Sequence, residues 1–162
     1  MNAGTWMRAN LSTPGYCLSE AECRELGLGL RFSTGLCLAL VVTALALQSP
    51  VLVFATSGIG VVAGFSARHP FDYLWNVAVR HAVRAPALPP NPARRRHAFK
   101  LATGWLLALG ILLSAGATTI AVVLGGLLVA ACATLTATNL CLPSEALAWW
   151  QRRTTRKEMA AT

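Results

Sequence analysis

Two long stretches of the chain contain no charged side chain. Asp, Glu, Lys and Arg are all absent from Phe32 through Ala67, and again from Leu101 through Ser144. A membrane-spanning helix requires about 20 predominantly apolar residues, so each stretch is long enough for two spans. A water-soluble chain of 162 residues could bury one helix this apolar, but not half of its length. The pattern therefore predicts a membrane protein with four spans.

Each uncharged stretch is interrupted near its middle by residues that end or begin helices. In the first, LQSPV offers Ser49 as a helix cap and Pro50 at the first helical position. In the second, SAGATT offers Ser114 and Gly116 as a turn. We therefore predict four helices, at about 31–48, 50–67, 97–114 and 117–141.

The segment that follows the second predicted helix has the pattern of an amphipathic helix over 70–84. Pro70 suits a first helical position, and Asp72 falls in the first turn, where a negative charge favours the helix dipole. Apolar residues recur at helical spacing: Phe71, Leu74, Trp75, Ala78, Val79, Ala82 and Val83. Polar residues fall on the opposite face: Asp72, Asn76, Arg80, His81 and Arg84. Such a helix is expected to lie in the plane of the membrane surface.

A proline-rich connection leads from this interfacial helix to the third span. APALPPNP contains too many prolines for a helix and favours extended backbone. Asn91 is then expected to cap the next helix, with Pro92 in its first turn. The central connection is therefore predicted to be an ordered elbow.

Composition and charge extend this interpretation. Hydrophobic residues make up 55% of the chain and charged residues 12%, against about 25% in soluble proteins. The first 29 residues are charged and lack a short apolar core with a small-residue cleavage site, so no cleavable signal peptide is expected. The first span would then act as the insertion signal.

The basic residues divide the chain into a membrane part and flanking parts. None of the 14 falls at the two predicted hairpin tips. They lie before the first span, between the second and third spans, and after the fourth: Arg8, Arg24, Arg31; Arg68, Arg80, Arg84, Arg94, Arg95, Arg96, Lys100; Arg152, Arg153, Arg156, Lys157. By the positive-inside rule this predicts that both termini and the central loop lie on the cytoplasmic side of the membrane. It also explains the net charge of +8 without nucleic-acid binding. Arg94 to Arg96 are expected to meet anionic lipid headgroups.

The predicted organisation is therefore a cytoplasmic segment at 1–30, a membrane domain at 31–144 and a basic tail at 145–162. The fold class is all-α and polytopic, with four transmembrane helices arranged as two hairpins and an interfacial helix in the central loop. Trp149 and Trp150 are expected at headgroup level.

Five cysteines are the main candidates for chemistry. Cys37 and Cys132 fall inside predicted spans and are expected to be small packing residues. Cys141 precedes the helix restart at Pro143, where backbone N–H groups would favour a thiolate. Cys17 has a similar setting, CLSEA beside CLPSEA, so Cys141 and Cys17 are the candidate reactive thiols. A cytoplasmic setting argues against a structural disulfide.

Other polar residues suggest structural roles. The three histidines, His69, His81 and His97, lie at predicted helix ends and are expected to bond the backbone rather than a metal. No metal site and no cofactor are expected. Gly60 and Gly64, in GVVAG, have the spacing of a close helix contact.

Three motifs together resemble a known family. HPFDYLWN, LPPNPARRRHAFKLATGWL and TNLCLPS are similar to those of a bacterial family of small integral membrane proteins known only as domain of unknown function four-three-nine-five. The resemblance runs from about the first predicted helix to Ser144. It marks seven positions: His69, Pro70, Asp72, Asn91, Pro92, Asn139 and Cys141. Because some members are associated with rhodanese-like or thioredoxin-like proteins, it implies a link to sulfur or thiol metabolism.

Three functions are consistent with these observations. The leading hypothesis is a non-enzymatic membrane partner or scaffold for a cytoplasmic sulfurtransferase or thioredoxin-like protein. The second is a small carrier for a sulfur-containing solute or a soft metal, with Cys141 as the acceptor. The third is a membrane thiol oxidoreductase that uses Cys141, although no quinone or haem site is recognisable. Four short helices enclose little volume, so transport would require a homo-oligomer.

Overall fold

The described part of the chain is all helical. The computed structural model describes residues 20–138, 141, 146 and 149–150, with side chains from residue 25 onward. No strand occurs among these residues. Five helices follow in order: α1 (Glu20–Ala46), α2 (Pro50–Phe65), α3 (Pro70–Val83), α4 (Ala93–Ser114) and α5 (Thr118–Thr138).

Helices α1 and α4 begin earlier than the sequence pattern predicts. α1 begins at Glu20 instead of about residue 31, and α4 begins at Ala93 instead of about residue 97. The added turns of α1 are amphipathic, with Leu26 and Leu30 buried against Trp75 and Leu88. Tertiary contacts therefore extend α1 beyond its uncharged stretch.

The predicted breaks between helices occur at the expected residues. The Ser49 hydroxyl accepts a hydrogen bond from the Leu52 N–H at 3.4 Å, and Pro50 is the first residue of α2. Gly116 has a φ of +76°, which suits the turn between α4 and α5 because glycine adopts left-handed backbone without strain.

The helices have the dimensions and surface of membrane spans. Within the described residues, α1, α4 and α5 are each long and apolar enough to cross a membrane. α2 has 16 residues and is followed by α3 at a bend of 80°, and this pair counts as a fourth span if it is taken together. Large apolar side chains are exposed on every long helix, including Val51, Phe65 and Ile111. Apolar exposure on this scale fits a lipid environment and not water.

The closest helix contact is between α2 and α4. α2 packs most extensively against α4, while α1 packs against α5. A β-carbon at Gly64 would lie 2.9 Å from Cγ and 3.3 Å from the backbone N of Lys100. At Gly60 it would collide with the Thr103 hydroxyl. The close contact predicted from GVVAG is therefore present, and its partner is α4.

Helix α3 buries two residues, Asp72 and Trp75, that its sequence pattern predicted to be exposed. Asp72 was expected on the polar outer face but is only 2% exposed. Trp75 was expected on the lipid-facing side but is also 2% exposed, because it packs against Leu26 and Leu30 of α1. The exposed large apolar residues of α3 are Leu74 and Val83, which belong to the predicted apolar face, together with Tyr73 and Val77. A π-helical turn over Trp75–Val79 changes which residues face inward along α3.

The proline-rich elbow is held to α3 by side-chain hydrogen bonds. The Asn76 amide bonds both backbone groups of Leu88: its Nδ2 donates to the carbonyl at 3.1 Å, and its Oδ1 accepts from the N–H at 2.7 Å. The Trp75 indole N–H donates to the Pro86 carbonyl at 3.2 Å. The elbow is therefore ordered, as its sequence predicts.

The start of α1, α3, the start of α4 and the end of α5 lie at one end of the bundle. Arg31 near the start of α1 donates to the Ala137 carbonyl in the last turn of α5 at 3.2 Å. Besides the apolar cluster of Leu26, Leu30, Trp75 and Leu88, a second cluster lies toward the turns that join α1 to α2 and α4 to α5. This second cluster includes Val53, Leu109 and Ala121. Between these two clusters lies the cavity described next.

Candidate functional site

A cavity of about 150 Å³ lies between the helices. Most of its wall is apolar, with Val41 of α1, Leu106 of α4 and Leu128 of α5 among the residues that line it. The remaining wall carries hydroxyls, thiols, an imidazole and a guanidinium: Ser33, Thr34, Cys37, Thr56, His69, Arg95, Thr103, Cys132 and Cys141. The cavity therefore brings several reactive side-chain types to one shared space.

Three thiols line this cavity. Cys37 belongs to α1, Cys132 to α5, and Cys141 lies just after α5. Cys37 and Cys132 are half-buried and form no disulfide, and Cys141 is 5% exposed. Cys132 packs against the apolar cluster that includes Val53, in agreement with its predicted packing role, and both Cys37 and Cys132 also share a cavity wall with Cys141. Cys17, the other predicted reactive thiol, lies outside the described residues.

Cys37 is paired with His69. The Cys37 Sγ lies 3.5 Å from His69 Nε2. The other ring nitrogen, Nδ1, accepts a hydrogen bond from the Phe71 N–H at 3.1 Å and thereby caps α3. A nitrogen that accepts carries no proton, so the ring is neutral and its proton resides on Nε2. His69 Nε2–H therefore donates to the Cys37 sulfur and would stabilise negative charge there.

Burial keeps His69 neutral well below its usual range. Desolvation lowers the pKa of His69 from 6.5 to about 4. Asp72 opposes this shift and Arg95 reinforces it, but burial is the largest cause. The lowered pKa agrees with the tautomer that the hydrogen bonds require.

Beside His69 lies a buried cluster of polar side chains. Asp72 Oδ1 accepts from the Ser33 hydroxyl at 2.5 Å, and its Oδ2 pairs with Arg95 Nη1 at 3.1 Å. The same Nη1 donates to Asn91 Oδ1 at 2.6 Å. The cluster joins α1, α3, α4 and the elbow at the polar end of the cavity.

Arg95 corrects the expectation for the arginine triplet. The sequence predicted that Arg94 to Arg96 meet lipid headgroups, but Arg95 is only 7% exposed. Its position in α4 directs it inward, where the Asp72 carboxylate balances its charge. A buried arginine needs such a partner because an unpaired charge is expensive to desolvate.

Asn91 serves the elbow in a way that differs from its predicted role. The N-cap residue of α4 is Pro92, and Asn91 lies one position before it. The Asn91 N–H donates to the Ala67 carbonyl at 2.7 Å, which ties the elbow to the bend between α2 and α3.

The family model for the Domain of unknown function (DUF4395) matches residues 28–152. The chain belongs to this family. The match begins within α1 and covers every helix after it, together with all the side chains of the cavity. No curated protein and no solved structure matches the chain significantly.

In this DUF4395 chain, most of the positions marked by the resemblance surround one site. His69 and Cys141 line the cavity, Asp72 and Asn91 belong to the adjoining polar cluster, and Pro70 is the first residue of α3. Asn139 lies outside the described residues.

Sequence reasoning missed four residues of the site: Ser33, Cys37, Arg95 and Cys132. The spacing of two pairs could have indicated a shared helix face. Ser33 and Cys37 are four residues apart on one helix, and Asn91 and Arg95 are four residues apart near the start of another. Nothing in the sequence indicates that these helical faces converge. Among the described residues, no group of three or more His, Cys, Asp or Glu side chains could hold a metal ion.

Proposed function

We propose that this protein is a carrier for a small sulfur-containing solute, which reacts with or rests against the thiols of the membrane cavity. The observation that carries the proposal is the presence of Cys37, Cys132 and Cys141 on the wall of one cavity together with His69. A partner or scaffold would need no such cavity, so this arrangement favours the carrier over the scaffold.

The cavity chemistry is consistent with transfer of sulfane sulfur between thiols. A hydropersulfide R–S–SH and a cysteine thiol exchange one sulfur atom, and the products are R–SH and Cys–S–SH. The cysteine sulfur attacks the outer sulfur, the S–S bond breaks, and R–S⁻ takes the proton released by the cysteine. No external oxidant is needed, whereas a thiol oxidoreductase would require an electron acceptor. The His69 Nε2–H that faces the Cys37 sulfur would stabilise the attacking thiolate.

The charge distribution supports an orientation with the cavity's polar end toward the cytoplasm. Seven basic residues lie from Arg68 to Lys100, three of them before α4 and four in its first part, and none lies in the turns at residues 47–49 and 115–117. We propose a bacterial inner-membrane location, with both termini and α3 on the cytoplasmic side. Reporter fusions at Ser49 and Gly116 should then read as extracytoplasmic, and a fusion at the C-terminus as cytoplasmic.

A cytoplasmic sulfurtransferase or thioredoxin-like protein would supply or remove the sulfur in this arrangement. The resemblance to family members associated with such proteins supports that choice of partner. Because the cavity of one chain is small, the carrier is expected to work as a homo-oligomer, which sizing in detergent would test.

The decisive experiment measures which cysteines accept sulfur. The purified protein in lipid nanodiscs is treated with ethyl hydropersulfide as the sulfane-sulfur donor, at a mildly acidic pH that keeps the donor neutral. It is then digested and examined by mass spectrometry for peptides that gain one sulfur atom. We expect gain at Cys37, Cys132 or Cys141, and loss of that gain in the matching serine variant. The double variant Cys17→Ser and Cys23→Ser is the matched control and should retain it.

Two results would contradict the proposal. If none of the cavity cysteines gains sulfur while a small reference thiol in the same sample does, the cavity is not a sulfur acceptor. If loss follows only from Cys17→Ser, the reactive thiol lies elsewhere in the chain.

A further inference from the structure

We propose that the cavity admits uncharged solutes of a few non-hydrogen atoms and excludes ions, so that its sulfur-containing solute is a neutral species such as a short alkyl hydropersulfide. Thiosulfate, sulfite and free metal cations would be rejected. The inference rests on the proposed function for the presence of sulfur in the solute. The exclusion of ions rests on the cavity alone.

The first support is charge balance at the cavity wall. Arg95 is the one Lys, Arg, Asp or Glu side chain that lines the cavity within the described residues. Its Nη1 lies 3.1 Å from Asp72 Oδ2, so its positive charge is already matched by a carboxylate. An anion that entered would meet a guanidinium whose charge Asp72 already balances, and a cation would find no unmatched negative group among the described residues of the wall.

The second support is the protonation state of His69. Its Nδ1 accepts the Phe71 N–H, which leaves the imidazole neutral with a single proton on Nε2. Burial lowers the pKa of His69 to about 4, so the ring stays uncharged at neutral pH. Together with the adjoining Asp72, the described groups that line the cavity present dipoles and polarizable sulfur, but no unbalanced charge.

The third support is size and wall chemistry. An engineered protein cavity of about 150 Å³ lined by apolar side chains stays dry and binds benzene. The cavity here has a volume of about 150 Å³ and is lined mainly by apolar side chains, with Leu106 and Leu128 among them. Bringing an unpaired ion into such surroundings carries a desolvation cost of several kcal/mol, whereas a neutral soft molecule carries little.

Thiol-labelling reagents that differ in charge test this directly. Methanethiosulfonates react as Cys–SH + CH₃SO₂–S–R, giving Cys–S–S–R and CH₃SO₂H. We would compare R groups that are neutral (methyl and 2-hydroxyethyl), anionic (2-sulfonatoethyl) and cationic (2-trimethylammonioethyl). The full chain is used in detergent so that all reagents reach both ends of the bundle. Rates at Cys37, Cys132 and Cys141 are read by mass spectrometry and divided by each reagent's rate with free glutathione.

We expect the methyl and 2-hydroxyethyl reagents to label the cavity cysteines, and both charged reagents to be more than about tenfold slower, since one decade in rate corresponds to only about 1.4 kcal/mol. The 2-hydroxyethyl reagent separates charge from size. An Ala82→Cys variant supplies an exposed thiol on α3 that all four reagents should label at similar normalised rates. Charged and neutral reagents labelling the cavity cysteines equally fast would overturn the inference.

A charge variant provides a second, independent measurement. Asp72→Asn removes the carboxylate that balances the charge of Arg95. The labelling rate of the anionic reagent should therefore rise several-fold relative to the neutral reagents, whereas that of the cationic reagent should not rise. If the methyl reagent labels the variant at an unchanged rate, the cavity is intact. If in such a variant the labelling rate of the anionic reagent does not rise relative to the neutral reagents, charge balance by Asp72 is refuted. If the variant does not fold, the comparison on the unmodified chain still decides.

The two proposals fail separately. Absence of sulfur gain from neutral ethyl hydropersulfide with retained charge selectivity would remove the carrier function but leave the neutral cavity. Sulfur gain with no charge selectivity would leave the carrier and remove the restriction to neutral solutes.

Discussion

Arg95 of α4 and Asp72 of α3 form a buried ion pair with 3.1 Å between Nη1 and Oδ2, although 23 positions separate them in the chain. This pair fixes α3 against the start of α4. Ser33 of α1 and Asn91 of the elbow each bond one of its members. The polar end of the cavity is therefore built around one charge pair that four parts of the chain share.

Removing one member of this pair should destabilise the protein strongly. We expect Arg95→Gln to lower the free energy of unfolding by about 3–5 kcal/mol, because Asp72 would remain buried without its cation. Arg94→Gln, at the half-buried neighbouring position, should cost less than about 1 kcal/mol. Thermal unfolding in detergent, followed by tryptophan fluorescence, would measure both. Equal losses in the two variants would show that the ion pair has no special role.

The contact between α2 and α4 should tolerate a methyl group at one glycine and not at another. At Gly60, a β-carbon meets the Thr103 hydroxyl, which donates to the Phe99 carbonyl at 2.7 Å and cannot turn away without losing that bond. Gly60→Ala should therefore destabilise by about 1–3 kcal/mol. Gly58→Ala, two residues earlier on α2, meets nothing within 4 Å. It should be neutral or stabilising by up to about 1 kcal/mol, because alanine is the better helix former. The same unfolding assay distinguishes them, and a harmless Gly60→Ala would argue against this helix contact.

Stability should fall as the pH falls below the ordinary range of histidine. The pKa of His69 is lowered from 6.5 to about 4 in the folded protein, chiefly by burial, so the unfolded chain binds the proton first. The contribution of His69 is therefore fully present above about pH 6.5 and is lost progressively between pH 6.5 and pH 4. We expect His69→Asn to flatten the change of melting temperature across this window, since asparagine retains an acceptor for the α3 cap but has no proton to gain.

The matched control for this prediction is His81, which is exposed on α3. His81→Asn should leave the pH dependence as it is in the unmodified protein. A His69→Asn variant that keeps the full loss between pH 6.5 and pH 4 would assign that loss to other groups.

The elbow should loosen when its side-chain clamp is removed. Asn76→Ala deletes two hydrogen bonds to Leu88 and leaves both backbone groups without that partner, at a cost of about 1–3 kcal/mol. We expect faster amide hydrogen exchange over residues 85–91 while exchange in the centre of α5 is unchanged. Val77→Ala, an exposed neighbour on α3, is the control and should leave the elbow protected. If amide exchange over residues 85–91 is equally slow in both variants, the prolines alone order the elbow.

The amino-acid sequence by itself determines much of the architecture. The uncharged stretches specify long apolar helices, because lipid-exposed backbone must satisfy its hydrogen bonds within a helix. Local chemistry specifies where those helices break: Ser49 caps α2, Pro70 begins α3, and Gly116 permits the turn before α5. These features depend on residues close together in the chain, and they are where the sequence predictions agree with the structure.

Only the tertiary structure decides which polar residues become a site. Asp72 and Arg95 look like surface charges in sequence, and Cys37 looks like a packing residue. Their roles arise because α3 folds back at an 80° bend, which brings the polar positions of α1, α3 and α4 to one end of a shared cavity. Helical periodicity identifies the faces of a single helix, but the pairing of faces depends on contacts between distant segments. The convergence of thiols, imidazole and a balanced charge pair therefore had to be seen in three dimensions.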